Sequence, residues 1–185
     1  DAKVRRFVYA SSSSLYGESE TLPKVETMPA APISPYALQK LAGETYCRLF
    51  HALYGLPTIA LRYFNVFGPR QDPKSEYAAV VPRFVAAVKR GEEAVVYGDG
   101  EQSRDFTFVD NVVHANLAAC SAGPEAFGGA YNIACGDRIS LNALLAEIAR
   151  IAGKPARALH EAARPGDIRH SLAGVGLAAS HLGYR

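Results

Sequence analysis

Tyr36 and Lys40 stand four residues apart in the stretch Ser34-Pro35-Tyr36-Ala37-Leu38-Gln39-Lys40. On a helix this spacing stacks a phenol and an ammonium on one face. A positive charge close to a phenol favours its ionised form, so the pair could take a proton from a substrate hydroxyl and return it. By itself Tyr-x-x-x-Lys is common on solvated helix surfaces, and its weight depends on what surrounds it. Ahead of it lie four consecutive hydroxyls, Ser11 to Ser14, followed by Leu15-Tyr16-Gly17. A flexible serine linker would not sit between a buried strand and such a turn.

The elements that must carry these groups follow from periodicity and punctuation. Arg6 to Ser11 reads as a core strand, and ligands of open α/β sheets bind at the carboxyl ends of strands. Glu18 to Ile33 holds Pro23, Pro29 and Pro32 without a period and reads as an ordered loop wrapping toward the site. Ser34 as N-cap and Pro35 as first residue start a helix that Gly55 and Pro57 end after Tyr54. Leu38, Leu41, Ala42, Tyr46, Leu49, Phe50 and Leu53 form one apolar stripe of this helix, while Tyr36, Lys40, Gly43 and Cys47 line another face. The stripe predicts a homodimer through the helix 35–54, because uncovered stripes of this size are unusual.

Thr58 to Phe64 is a continuous apolar run of the buried parallel type, which makes strand, helix and strand a right-handed crossover unit. Helices are predicted over Val80–Arg90, over Asn111 to Ser121 with Asp110 as cap, and over Leu141–Ala152 with Ser140 as cap. Strands are predicted over Ala94–Tyr97, Arg104 to Val109 and Tyr131 to Ala134. Alternating strands and helices mean an α/β fold.

The 185 residues are 49% hydrophobic and 21% charged, with net charge +2. That balance, with no basic run interleaved with aromatics, argues against a nucleic-acid partner. No apolar stretch approaches a membrane span, so no membrane partner is expected. Asp1-Ala2-Lys3 leads straight into a strand and reads as no signal peptide. Cys47, Cys120 and Cys135 are scattered, which fits reduced thiols in a cytoplasmic protein and no metal site. A chain that opens directly on a core strand reads as part of something longer.

Taken in chain order, the motifs resemble the extended short-chain dehydrogenase/reductase family, and within it the nucleotide-sugar 4-epimerases that accept N-acetylated UDP-hexoses. The matching pieces are Val8-Tyr9-Ala10-Ser11-Ser12-Ser13-Ser14-Leu15-Tyr16-Gly17, Ser34-Pro35-Tyr36 with Lys40, and Leu61-Arg62-Tyr63-Phe64-Asn65-Val66-Phe67-Gly68-Pro69. Gly98-Asp99-Gly100 before Ser103-Arg104-Asp105-Phe106, and Arg164-Pro165-Gly166-Asp167, complete them. The resemblance implies the C-terminal part of a Rossmann-like doubly wound parallel sheet over residues 1–70. Residues 71–185 would mainly form a smaller α/β substrate-binding domain, with some segments returning to the sheet. The family's glycine-rich turn belongs to a preceding stretch of roughly a hundred residues. No glycine cluster here follows a strand and opens a helix, so the N-terminal NAD-binding half is expected to lie outside these residues.

The resemblance also implies roles. Ser12, Tyr36 and Lys40 would be catalytic, with NAD as cofactor and a UDP-sugar as substrate. Ser11, Tyr36, Lys40 and Tyr63 would contact the cofactor. Substrate contacts would come from Ser12, Ser13, Ser14, Asn65, Ala79, Val80, Tyr97, Arg104, Arg164, Asp167 and Ser171, the two arginines gripping the diphosphate. Dehydratases of the family carry an Asp-Glu pair where Ser13-Ser14 stand here, and decarboxylases a glutamate at the position of Ser14. Without those carboxylates the expected reaction is 4-epimerisation. Ser171 matches a position that gates the sugar's C2 substituent, and a small residue there predicts UDP-GlcNAc/UDP-GalNAc interconversion, with UDP-Glc/UDP-Gal tolerated. Another nucleotide-sugar epimerase or reductase, and a non-catalytic UDP-sugar-binding fragment, are the alternatives.

Overall fold

The computed structural model describes residues 3–72, 80–163 and 168–185. Strand β1 (Phe7–Ser12), helix α1 (Pro35–Tyr54) and strand β2 (Thr58–Tyr63) form the expected crossover, with β1 and β2 parallel and Ser11 beside Arg62. Strand β7 (Ala130–Ile133) adds to the far edge of β2, again parallel, giving the order β1-β2-β7. Helix α1 starts where the sequence says it must. The Ser34 hydroxyl accepts from the Ala37 amide at 3.2 Å, and Gly55 closes the helix in the left-handed region at φ 67°.

The two faces of this sheet are covered differently. On one, Ile59, Leu61, Tyr131 and Ile133 pack with Ala115 and Ala119 of α3 (Val109–Ser121) and with Ala178 and Leu182 of α5 (Gly176–Leu182). On the other lies α1, whose buried residues are Ala37, Glu44 and Cys47. Leu38, Tyr46, Leu49, Phe50 and Leu53 of the apolar stripe point to solvent. Helices on both faces of a parallel sheet are the doubly wound arrangement.

A second apolar cluster joins α2 (Val80–Arg90), strand β4 (Ala94–Tyr97) and α4 (Leu141–Ala152) through Phe84, Val88, Val96, Leu141 and Leu145. Short strands complete the chain. β3 (Val66–Phe67) pairs with β6 (Thr107–Phe108), β5 (Ser103–Arg104) with β8 (Ile139–Ser140), and β4 with β9 (Ala158–Glu161).

Three expectations need correction. The strand drawn over Arg104 to Val109 is two strands, β5 and β6, separated by Asp105 and Phe106. Asp105 is turned inward as an acceptor for three backbone amides, which breaks the ladder. Helix α3 begins at Val109, not Asn111; Asp110 lies in its first turn and Phe108 stands at the cap without a side-chain bond. The tail after Lys154 contains β9 and α5, which short, weakly periodic runs did not reveal. The proline-rich loop is ordered by pairing: Lys24 bridges to the 172–174 segment, and Ala31 donates to the Leu15 carbonyl.

Candidate active site

Tyr36 sits in the first turn of α1 with 54% of its surface exposed. One turn on, the Lys40 ammonium donates to the backbone carbonyl of Ala10 at 2.9 Å. It lies 5.5 Å from the centre of the Tyr36 ring and 5.4 Å from that of Tyr9, so two electron-rich rings flank one cation. Gly43 makes this possible, because the Tyr9 ring lies where any larger residue would place its Cβ.

Ser12 ends β1 and caps the single 3-10 turn Ser13–Tyr16. Its hydroxyl oxygen accepts from the Ser14 amide at 3.2 Å and from the Ser14 hydroxyl at 2.9 Å. A hydroxyl has two acceptor sites and one proton. With both acceptor sites filled, Ser12 keeps its proton to donate. That suits an oxygen gaining negative or carbonyl character. Ser13 and Ser14 are half-buried in the same turn.

Ser11, expected to contact the cofactor, is bonded inside the protein. Strand alternation turns it to the α1 face, where it is buried and donates to Glu44 at 2.5 Å. In this structure its proton is given to the protein interior. Behind it lies a polar network that sequence reading did not find. Arg62 forks onto both carboxylate oxygens of Glu44, at 2.9 Å and 2.8 Å, with 7% and 8% of the two residues exposed. It also donates to the Tyr16 hydroxyl at 2.8 Å, which donates to Asn132 at 2.7 Å. Burial opposes the charge on Arg62, but its bonds to Glu44 and Tyr16 outweigh this and raise its pKa above the usual value. Burial pushes the Tyr16 phenol up. An arginine inside an otherwise apolar buried strand was the available signal, since such a charge demands an acidic partner.

On the β2 side, the Tyr63 hydroxyl exchanges hydrogen bonds with the Asn116 amide at 3.1 Å and 2.9 Å, and burial raises its pKa. Asn65, at φ 34°, donates to the Asp105 carbonyl at 2.9 Å and to the Ser171 hydroxyl at 3.0 Å. Two expected substrate residues, 106 positions apart, thus touch. Both amide hydrogens of Asn65 are spent on protein, so its remaining offer is an acceptor oxygen.

Asp105 is fully buried and accepts from the amides of Cys135, Gly136 and Ala173. Desolvation raises its pKa, and the three amide bonds work against that rise. Arg104 bonds to the carbonyls of Ser103 and Arg169 at 3.0 Å and 3.2 Å. His170 meets the Ser103 hydroxyl at 2.9 Å; desolvation, then Arg138, Arg169 and Arg104, lower its pKa. Val80 opens α2 half-buried. Tyr97 is on β4 with the Arg83 guanidinium 5.8 Å from its ring centre. Ala79, Arg164 and Asp167 lie outside the described residues.

Among the described residues no group of three His, Cys, Asp or Glu could hold a metal ion, and no helix is long and apolar enough to cross a membrane. The groups on offer are a phenol beside a fixed ammonium on α1, a donating serine at the end of β1, and, on other segments, the bonded Asn65–Ser171 pair and Arg104.

Comparison with known proteins adds the context. The family described as NAD dependent epimerase/dehydratase matches residues 1–134. A UDP-glucose 4-epimerase of Mycolicibacterium smegmatis is 40% identical over 171 residues, 92% of this chain and 54% of that protein. The structure of a UDP-N-acetylglucosamine 4-epimerase from Methanobrevibacter ruminantium M1, in complex with UDP-N-acetylmuramic acid, superposes with a TM-score of 0.94 at 41% identity. It covers 98% of this chain and 57% of that one. A UDP-glucuronic acid 4-epimerase from Bacillus cereus, in complex with UDP-glucuronic acid and NAD, gives 0.87 at 30% identity over 97% of this chain and 56% of that one. The chain spans about half the length of the curated relatives it matches.

Proposed function

The chain belongs to the NAD dependent epimerase/dehydratase family, and from that premise we propose that it carries the acid–base half of an NAD-dependent nucleotide-sugar 4-epimerase. The observation that carries this reading is the arrangement of Tyr36, Lys40 and Ser12 with hydroxyls, not carboxylates, at positions 13 and 14. Dehydration and decarboxylation need a further acid or base, and this turn has none.

The residues fit the nicotinamide-ribose end of the cofactor. Lys40 keeps two N–H donors beyond its bond to Ala10, and Tyr36 is open to solvent. The glycine-rich turn that would cradle the pyrophosphate is not among the 185 residues. NAD, when bound, supplies the hydride acceptor for C4 of the sugar. Tyr36 takes the proton of the 4-hydroxyl, with the Lys40 ammonium 5.5 Å from the centre of its ring. Ser12 donates to the same oxygen as it becomes a carbonyl. Tyr36 gives the proton back when the hydride returns to the opposite face of C4, which inverts that centre. Proton transfer of this kind contributes about 10²–10⁴-fold.

The proposed substrates are UDP-GlcNAc and UDP-GalNAc, with UDP-Glc and UDP-Gal tolerated. The small Ser171 side chain, held by Asn65, supports room beside the sugar. Arg104, with Arg164 and Asp167, would hold the diphosphate. We assign the β1-β2-β7 sheet with its helices to the cofactor and the α2-β4-α4 cluster to the substrate. The exposed face of α1 is the proposed homodimer contact, which light scattering of the full-length protein would test.

The deciding experiment incubates the full-length protein with UDP-GlcNAc, UDP-glucose and UDP-glucuronic acid in turn and resolves the 4-epimers by NMR. Epimerisation that Tyr36→Phe abolishes is the expected result. A Tyr36→Phe enzyme as active as the parent, or a product lacking water or carbon dioxide, would overturn the assignment.

A further inference from the structure

We infer that the buried Glu44–Arg62 ion pair, joined to Ser11 and Tyr16, sets the register of α1 against the sheet and so positions Tyr36 and Lys40 relative to Ser12. The inference rests on the acid–base reading above and deepens it.

The face of α1 that meets the sheet is small. Its buried or closely approached positions are Ala37, Gly43 and Cys47, while Leu38, Tyr46, Leu49, Phe50 and Leu53 are exposed and Leu41 is half-buried. Small residues allow close approach but offer few interdigitating side chains to stop a helix sliding or rotating. Beside the Tyr9 ring seated on Gly43, α1 makes one polar contact with the sheet per turn. Lys40 bonds to the Ala10 carbonyl, Glu44 to Ser11 and Arg62, and the Cys47 carbonyl accepts from the Thr58 hydroxyl at 2.7 Å.

Of these, Glu44 is the buried, forked contact. A bidentate guanidinium–carboxylate pair has one good geometry, so it specifies position as well as attraction. The same guanidinium reaches Tyr16, the last residue of the turn that Ser12 caps. One side chain therefore bonds both to the helix bearing Tyr36 and to the turn whose cap is Ser12. Tyr16 passes the connection to Asn132 on β7, which donates to the carbonyls of Lys24 and Gly174. Desolvation offsets much of the attraction in a buried ion pair, so stability alone explains its presence poorly; fixing a register is the best-attested use.

The test uses the full-length protein and the double variant Glu44→Leu/Arg62→Met, which exchanges the pair for apolar side chains. The expected result is a folded protein whose kcat is lower by roughly tenfold to a hundredfold, as a misplacement near 1 Å would give. KM for the nucleotide sugar should move by less than about threefold, because Arg104 and Ser171 lie on other segments. Crystal structures should show the Tyr36 hydroxyl displaced from Ser12. A folded double variant with parental kcat and an unmoved Tyr36 overturns the inference. Should that variant not fold, Glu44→Gln and Tyr16→Phe each weaken one part of the network with little change of shape. Several-fold lower kcat at unchanged KM supports the inference, and parental kcat in both overturns it. The displacement of Tyr36 reports on the register whatever the reaction is, whereas epimerisation by the parent reports on the reaction.

Discussion

The Lys40 ammonium and the Ala10 carbonyl are 2.9 Å apart, which ties α1 to the strand two residues before Ser12. The bond aims a cation at the Tyr36 ring and leaves two donors for a ligand. Lys40→Met removes both effects and should lower kcat by about 10²-fold. Because the bond is exposed, unfolding free energy should stay within about 0.5 kcal/mol of the parent. Steady-state kinetics beside urea denaturation separate the two, and a parental kcat would count against the role of Lys40.

Gly43 and Tyr9 form a second tight fit. A Cβ at residue 43 would stand 2.2 Å from the Tyr9 ring. Alanine is the better helix former by about 1 kcal/mol, yet overpacking of this kind costs about 1–3 kcal/mol or more. Gly43→Ala is therefore expected to lower stability. Adding Tyr9→Leu should restore most of the loss, and a double-mutant cycle showing no coupling would refute the contact.

Asp105 gathers three backbone amides around one buried carboxylate. Asp105→Asn points an N–H group at one or more of those donors and should cost about 1–3 kcal/mol. There is also a pH signature. Burial holds the Asp105 pKa above the ordinary aspartate range, so the folded state binds the proton more tightly than the unfolded chain. Its stabilising contribution is present below the ordinary value and lost as pH rises through the folded value. Denaturation across mildly acidic pH should show this decline in the parent and not in Asp105→Asn.

Ser171 accepts from Asn65 at 3.0 Å. On the proposed function Ser171→Tyr would fill space beside the sugar, and it should reduce kcat/KM for UDP-GlcNAc by about tenfold to a hundredfold while UDP-glucose turnover changes little. Equal losses on both substrates would mean that Ser171 does not gate the C2 substituent.

The Tyr184 hydroxyl donates to the Ala134 carbonyl at 2.9 Å, and burial pushes its pKa up to about 12. A raised value means that Tyr184 favours folding below its ordinary value of 10.0, and that this contribution fades as pH rises toward 12. Tyr184→Phe should flatten that alkaline decline. Absorbance titration of the phenolates beside denaturation would detect it, and identical slopes in parent and variant would refute it.

The sequence by itself determined the spacing of the proposed catalytic pair, Tyr36 and Lys40, and the elements that display it. Ser34, Pro35 and Gly55 mark the ends of α1 through local capping, and the spacing of Tyr36 and Lys40 is a property of any helix. Hydrophobic runs likewise placed β1, β2, α2, β4 and α4 within a residue of their observed bounds. What only the tertiary structure decided are contacts between residues distant in the chain. Alternation gives the face of Ser11 and burial demands an acid for Arg62, but that Glu44 is the partner of both, and that Asn65 meets Ser171, has no local signature. Each depends on which strands lie side by side and which face of α1 meets them. Buried polar groups take whichever partner the packing brings within reach, and short strands such as β5 and β6 exist only because distant segments pair with them.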